Sequence, residues 1–246
     1  QNNVQGCSDS GGLPNVYTAY QRVDDPQVQA RFQEAWHTSL SPDPGLTVTE
    51  MMDAASQGKI RAMVVLGENP LMSEPNLDHA RQALAALDFL VCIDILPNET
   101  TEYAHVILPA VSFAEKDGTF TNSDRRVQRV RKAIDPVGHS RPDWQIICDL
   151  ARRMETLLGV EHSAGFDFPD AESIWEEMRQ VTPDFFGITY ERLEREGGVH
   201  WPCPALDHPG TPYLFADSFP RGRGKFWPLD YGTTSEQPDD AYPYHL

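Results

Sequence analysis

Three short runs of apolar residues alternate with amphipathic segments in the first two thirds of the chain. The runs cover residues 62–66, 89–93 and 105–108, and the last two end abruptly at Asp94 and Pro109. Continuous apolar runs of this length are typical of strands that are buried on both faces. Alternating strands and helices predict an α/β fold, with a Rossmann-like parallel sheet flanked by helices and right-handed crossovers.

Local signals predict where several helices begin and end. Asp25 followed by Pro26 is typical of a helix start, and Thr47 with Glu50 has the spacing of a capping box, in a helix that Gly58 would end. Residues 143–158 predict one more helix. The face of that helix expected to be buried carries Trp144, Ile147, Leu150, Ala151 and Met154.

The composition changes after residue 158. Residues 159–246 are rich in aromatic residues and proline, and they predict an irregular connecting segment with two short helices near 170–179 and 189–195. Residues 1–24 show no periodicity and predict a loop that leads into the α/β domain at residues 25–158. The aromatic side chains are expected to anchor the irregular segment.

Charge and cysteine content narrow the class of protein. The chain has 37 acidic and 20 basic residues, which gives a formal net charge of −17 and argues against a nucleic-acid partner. No apolar run reaches about 18 residues, so no membrane span is expected. Four cysteines without a C-x-x-C pair predict reduced thiols rather than a zinc or iron–sulfur site. They favour the cytoplasm, with the periplasm left open.

The ends of the predicted strands carry candidate ligand-binding groups. Gly67, Glu68 and Asn69 follow the first strand, and Asp94 ends the second. Ligands of open parallel sheets bind outside the carboxyl ends of the strands. A glycine turn lets a phosphate approach the backbone, and a carboxylate can accept both N1–H and N2–H of a guanine. The alternative is structural, with Asp94 capping the next turn and Asn69 stabilising its own.

Longer motifs add a resemblance to a known family. The chain resembles the catalytic (alpha) subunit of molybdenum- or tungsten-dependent formate dehydrogenases, in the dimethyl sulfoxide reductase family. The motifs that carry the resemblance are Gln1-Asn2-Asn3-Val4-Gln5-Gly6, Gly67-Glu68-Asn69-Pro70, Asp94-Ile95, Val106-Ile107-Leu108-Pro109, Glu115-Lys116-Asp117-Gly118-Thr119-Phe120-Thr121-Asn122, Arg125-Arg126-Val127-Gln128 and Pro142-Asp143-Trp144.

The resemblance implies a cofactor and the residues that bind it. Two molybdopterin guanine dinucleotides hold molybdenum or tungsten in that family, and this region would bind the guanine dinucleotide portion of one of them. Asn69 matches a strand-tip ligand, Ile93 and Asp94 a guanine-reading pair, and Lys116 and Asp143 polar contacts to the cofactor. Gln1 matches a residue near the metal. The implied cofactor-binding residues are Gly67, Glu68, Asn69, Ser73, Ile93, Asp94, Lys116 and Asp143.

The resemblance also implies an activity and partners. The whole enzyme would oxidise formate to carbon dioxide and pass electrons through iron–sulfur subunits to NAD or another acceptor, with NAD reached through a partner. We expect this chain to be an internal piece of such a subunit, inactive alone. The metal-ligating cysteine or selenocysteine, its neighbouring histidine and a 4Fe-4S cluster would lie in the rest of the catalytic chain.

Two alternatives remain. One is a non-catalytic scaffold domain, as in the large subunit of respiratory complex I, which the intact strand-end residues argue against. The other is a nitrate reductase of the same family, which the opening Gln1-Asn2-Asn3 motif disfavours.

Overall fold

The computed structural model describes residues 3–159, 165–219, 221–233 and 237–244. The chain divides into two compact units, Gln1–Pro212 and Tyr213–Leu246. The first unit contains the named helices and strands. Within it, the α-helices are α1 (Val4–Asp9), α2 (Pro26–Trp36), α3 (Val48–Ser56), α4 (Pro70–Ser73), α5 (Leu77–Ala85), α6 (Asp143–Leu158), α7 (Ala171–Gln180) and α8 (Tyr190–Glu196).

One of the sheets of the first unit is a three-stranded parallel sheet. Its strands are β1 (Ala62–Leu66), β2 (Phe89–Asp94) and β3 (Val106–Pro109), in the order β1-β2-β3. All pairings are parallel, with Val64 opposite Val91 and Val91 opposite Val106. The predicted α/β fold with helices flanking a parallel sheet is therefore confirmed.

The middle strand is the best buried part of this sheet. Leu90 and Cys92 face a core built with α3 and α5, while Val91 and Ile93 pack against Ile146 of α6 on the opposite face. The expectation that all three strands are buried on both faces is wrong, because only β2 has helices over both faces. In β1 only Val65 is buried.

The buried face of α6 also differs from the prediction. Ile146 and Cys148 are its buried residues, whereas Ile147, Leu150 and Met154 are exposed. The sheet contacts α6 through Ile146, so the wider apolar stripe is turned away from it. Helical periodicity identified the helix correctly but assigned its covered face wrongly.

A second sheet was not predicted. It is antiparallel, with the order β4-β5-β6, and its strands are β4 (Gly118–Thr121), β5 (Arg126–Val130) and β6 (Val199–His200). It packs with α7 and α8 around an aromatic cluster that includes Trp175, Phe185, Tyr190 and Trp201. For these four the expected anchoring role is confirmed, and the helices predicted near 170–179 and 189–195 are present as α7 and α8.

The amino-terminal stretch is not entirely a loop. Asn3 caps α1 by accepting from the backbone N–H of Gly6 at 3.2 Å, and a short 3-10 helix covers Thr18–Tyr20. Six residues are too few to produce a periodic pattern, so the sequence did not predict α1. The predicted caps of α2 and α3 are confirmed, with Asp25 capping the first and Thr47 and Glu50 forming a capping box in the second.

The second unit, Tyr213–Leu246, contains little regular structure among its described residues. A single antiparallel bridge joins Phe219 and Gly222, and the rings of Phe215 and Phe219 lie 5.6 Å apart. Phe226 and Trp227 are exposed, so the expectation of aromatic anchors is wrong for them. None of the described helices is both long and apolar enough to cross a membrane.

Neighbouring valines in the parallel sheet give a matched test of its burial. Val91 is 8% exposed, whereas its register partner Val64 is 55% exposed. We expect Val91→Ala to lower the free energy of unfolding by about 2 kcal/mol, because it removes two buried methyl groups and leaves a cavity. Val64→Ala should cost about 0.5 kcal/mol. Urea unfolding of both variants measures the difference, and equal losses would contradict the assignment of β2 as the covered strand.

Candidate functional site

A cavity of about 730 Å³ opens at the carboxyl ends of β1 and β2. Residues from α1, both strand ends, α4 and the start of α6 line it. Among the predicted site residues, those that line the cavity are Gly67, Glu68, Ser73, Ile93, Asp94, Lys116 and Asp143. The chain therefore brings together groups that are up to 76 positions apart in the sequence.

Gly67 supplies the tight turn at the tip of β1. Its φ is +61°, a left-handed conformation that costs a non-glycine residue roughly 1–2 kcal/mol. Its N–H donates to the carbonyl oxygen of Ile93 at 2.9 Å, which joins the ends of β1 and β2. A Cβ atom built here would meet nothing within 4 Å, so the space above this backbone is open to a ligand.

Asp94 is held by the turn that follows β2. Its Oδ1 accepts from the backbone N–H of Ile95 at 2.7 Å, and its Oδ2 accepts from the Asn98 side-chain amide at 2.8 Å. Asp94 therefore caps the turn that follows β2, as the structural alternative predicts. Since each carboxylate oxygen has two lone pairs, the same carboxylate retains acceptor capacity toward the cavity.

Asn69 is the one predicted strand-end residue that does not line this cavity. Its amide donates to the Glu99 carboxylate at 2.6 Å, and its Oδ1 accepts from the Thr100 hydroxyl at 2.7 Å. The Thr100 oxygen in turn accepts from the backbone N–H of Leu71. Asn69 thus ties the start of α4 to the 3-10 helix at Glu99–Tyr103.

Two pairs of polar side chains complete the lining. The Ser73 hydroxyl donates to Glu68 at 2.8 Å. The Lys116 ammonium donates to Asp143 at 2.5 Å, and both side chains are about three quarters buried. Asp143 is the first residue of α6, and Pro142 occupies the N-cap position of that helix.

The charge of the lining is predominantly negative. Of its described charged residues, only Lys116 is a cation, and Asp143 neutralises it. The acidic residues are Glu68, Glu74, Asp94 and Asp143. Such a lining suits ligand groups that donate hydrogen bonds far better than it suits phosphates.

The amino-terminal helix supplies residues that the sequence reasoning did not assign to the site. Asn3, Val4, Cys7 and Ser8 line one wall of the cavity. The resemblance motif that begins at Gln1 is the signal for this wall in the sequence, but it implies a role at the site for Gln1 alone. Gln1 itself lies outside the described residues.

Two further observations limit what the site can be. A separate apolar cavity of about 560 Å³ lies between α2 and α7, lined by residues such as Phe32, Trp36 and Met178. It lacks a strand-end carboxylate, and its Glu177 already accepts from the Trp36 indole N–H at 2.9 Å. Within the described residues, no three or more His, Cys, Asp or Glu side chains are grouped to hold a metal ion.

Comparison with known proteins gives the family. Residues 4–153 match the family described as molybdopterin oxidoreductase. The chain is 46% identical to the F420-dependent formate dehydrogenase subunit alpha of Methanocaldococcus jannaschii, and this match covers 100% of the chain and 35% of the relative. The assimilatory nitrate reductase catalytic subunit of Bacillus subtilis is 38% identical, also over 100% of the chain and 35% of the relative.

A solved structure agrees at the level of the fold. Acetylene hydratase from Pelobacter acetylenicus matches with a TM-score of 0.52 and 20% identity, over 81% of this chain and 25% of that one. The chain belongs to the molybdopterin oxidoreductase family, which confirms the resemblance found in the sequence. It spans about a third of the length of the curated relatives it matches.

The contacts of Asn69 predict a pH-dependent loss of stability. The Asn69 amide holds the pKa of the Glu99 carboxyl below its ordinary value, so ionised Glu99 stabilises the fold at neutral pH. That contribution is fully present above the ordinary pKa of a glutamate and is lost as the pH falls through the lowered pKa of Glu99 in the folded protein. Asn69→Ala should therefore reduce the free energy of unfolding more at pH 7 than at pH 3.5. The loss of the hydrogen bond from the Thr100 hydroxyl to Asn69, worth about 1 kcal/mol, should not depend on pH.

The control for this prediction is Glu99→Gln. Its amide oxygen can still accept from Asn69 but does not titrate, so in this background the cost of Asn69→Ala should be the same at both pH values. Denaturant unfolding of the four proteins gives the comparison. If Asn69→Ala lowers the free energy of unfolding equally at both pH values in the protein that retains Glu99, the pH-dependent contribution of the Asn69–Glu99 bond is contradicted.

Proposed function

We propose that the cavity at the ends of β1 and β2 binds the guanine nucleoside portion of a molybdopterin guanine dinucleotide. The observation that carries this proposal is the Asp94 carboxylate at the tip of β2, beside the open backbone of Gly67. Membership of the molybdopterin oxidoreductase family supports a cofactor of this type. The guanine form of the cofactor is part of the proposal.

Asp94 is suited to recognise a guanine. The Watson–Crick edge of this base presents N1–H and N2–H side by side, and a carboxylate can accept both. The bonds from Ile95 and Asn98 fix the orientation of the carboxylate before the ligand arrives. A preoriented acceptor loses little conformational entropy on binding, which favours affinity as well as selectivity.

The acidic lining supports the base, rather than the phosphates, as the group bound deepest. Glu68 and Asp94 would repel a pyrophosphate, whereas they can accept from the amino and hydroxyl groups of a nucleoside. Lys116 is the cation available to a phosphate, and it would exchange part of its contact with Asp143 for that role. Backbone N–H groups near Gly67 are the other donors we assign to the phosphates.

We further propose that the whole protein is the catalytic subunit of a formate dehydrogenase that holds molybdenum or tungsten between two such cofactors. When bound, the cofactor and its metal supply the electron transfer that oxidises formate to carbon dioxide. The residues of this chain bind and orient its nucleotide end. The partners are the rest of the catalytic chain and electron-transfer subunits with iron–sulfur clusters, which pass the electrons to NAD or another acceptor. A 4Fe-4S cluster would lie outside this chain.

A nitrate reductase is the second candidate, because the relative with that name is 38% identical over the whole chain. The 46% identity to a formate dehydrogenase alpha subunit favours formate. A purely structural scaffold is disfavoured, because Gly67, Glu68 and Asp94 remain together at an open cavity.

A pair of nucleotides tests the role of Asp94. GMP and IMP carry the same charge and differ only in the 2-amino group, which IMP lacks. We expect GMP to bind the chain roughly ten-fold more tightly than IMP, because a hydrogen bond to a carboxylate is worth about 1.5–3 kcal/mol. In Asp94→Asn the affinity for GMP should fall by a similar factor and the preference over IMP should disappear. Isothermal titration calorimetry gives both constants.

Asp88→Asn is the matched control. Asp88 precedes the other end of β2 and forms an exposed ion pair with Arg61. Its substitution removes the same charge just before the amino end of β2 without touching the cavity, so GMP binding should not change. Retention of GMP affinity and selectivity in Asp94→Asn would rule out the guanine-reading role.

A further inference from the structure

Helix α1 forms one wall of the proposed nucleotide cavity but cannot be stable by itself. It has only six residues, and isolated helices shorter than about 12 residues are marginal in water. Its amino-terminal end is capped by Asn3, and its first residue Val4 is exposed. The position of this wall must therefore come from contacts made elsewhere on the helix.

Asp9, the last residue of α1, makes those contacts. It is 1% exposed, although carboxylates are rarely buried. Its Oδ2 accepts from the indole N–H of Trp201 at 2.7 Å, and its Oδ1 accepts from the Gln5 amide, one turn earlier in α1, also at 2.7 Å. The Tyr20 hydroxyl approaches the same carboxylate, and burial together with Asp9 raises the pKa of Tyr20.

Trp201 is itself held in place by the aromatic cluster and by Arg125. Its ring packs against Phe185 with the ring centroids 5.7 Å apart, inside the aromatic cluster with α7 and α8. The Arg125 guanidinium donates to the Trp201 carbonyl oxygen, and the Trp201 N–H donates to the Arg125 carbonyl oxygen at 3.2 Å. The indole N–H thus reaches Asp9 from a rigid support 192 residues away in the sequence.

We propose that Asp9 and Trp201 are positioning residues that hold α1 as a wall of the nucleotide cavity. The aromatic cluster around Trp175, Phe185, Tyr190 and Trp201 then sets the shape of the cavity, although none of these four side chains lines it. Neither residue touches the ligand, and their effect passes through Asn3, Val4, Cys7 and Ser8. The effect on ligand affinity rests on the proposed function, whereas the effect on α1 does not.

Trp201→Phe tests the inference, because it keeps an aromatic ring in the cluster and removes only the N–H donor and part of the ring. Hydrogen exchange of the α1 backbone, followed by mass spectrometry on peptides covering residues 3–12, reports how often the helix opens. We expect exchange there to be about ten-fold faster in the variant, the factor that follows from leaving a buried carboxylate without this donor. The dissociation constant for GMP should rise by a comparable factor.

Trp175→Phe is the matched control. Trp175 belongs to the same cluster, stacks on Phe185 and donates its indole N–H to the Ile188 carbonyl oxygen at 2.6 Å. Trp175 is 4% exposed and Trp201 is 7% exposed, so the two substitutions remove similar buried surface. Trp175→Phe should lower global stability to a similar extent and leave exchange in residues 3–12 and GMP affinity unchanged.

Asp9→Asn gives a second, independent variant if Trp201→Phe does not fold. In asparagine an NH2 group, which cannot accept, replaces one of the two carboxylate oxygens. Since Trp201 and Gln5 donate to different oxygens of Asp9, one of these bonds is lost and α1 should again exchange faster. Equal exchange of residues 3–12 in the parent, Trp201→Phe and Asp9→Asn proteins would overturn the inference. So would faster exchange in Trp175→Phe equal to that in Trp201→Phe, since the effect would then be a general loss of stability.

The two proposals fail in different ways. If the parent chain does not bind GMP, the proposed function fails while the exchange data still decide the role of Asp9. If the parent chain binds GMP and Trp201→Phe binds it equally well, the positioning role fails and the nucleotide site remains.

Discussion

Burial of β2 between helices on both faces is the constraint on which the candidate site depends. Leu90 and Cys92 pack toward α3 and α5, and Val91 and Ile93 pack toward α6. A strand held in this way has a fixed register and a fixed end. The end is Asp94, and the bond from Gly67 to the Ile93 carbonyl brings the tip of β1 to the same edge. The position of the cavity therefore follows from the packing of one strand.

The cavity at this edge of the sheet has the same excess of acidic residues as the whole chain. The net charge of −17 argues against a nucleic-acid partner, and the described lining of the cavity carries four carboxylates and one ammonium group. Carboxylates in a concave site favour neutral groups rich in N–H and O–H donors. For the proposed ligand, this favours the nucleoside part of the dinucleotide as the portion bound in the cavity. Lys116 and backbone donors are then the groups proposed for its phosphates.

Interactions between residues close in sequence were predictable, and those between distant residues were not. The caps of α2 and α3 and the strand ends at Gly67 and Asp94 depend on neighbouring residues, and the sequence predicted them. The pairing of Lys116 with Asp143 spans 27 positions, and the anchoring of Asp9 by Trp201 spans 192. Neither leaves a periodic pattern. Likewise, the exposed stripe of α6 depends on what covers that helix, which periodicity cannot reveal.

A crystal structure of the chain with GMP tests the central claim most directly. The account predicts the guanine in the cavity at the ends of β1 and β2, with N1 and N2 each about 2.7–3.0 Å from an Asp94 carboxylate oxygen. The ribose and phosphate should extend toward the Gly67 and Lys116 side. A guanine bound instead among Phe32 and Trp36 in the apolar cavity, or a phosphate in place of the base beside Asp94, would contradict it.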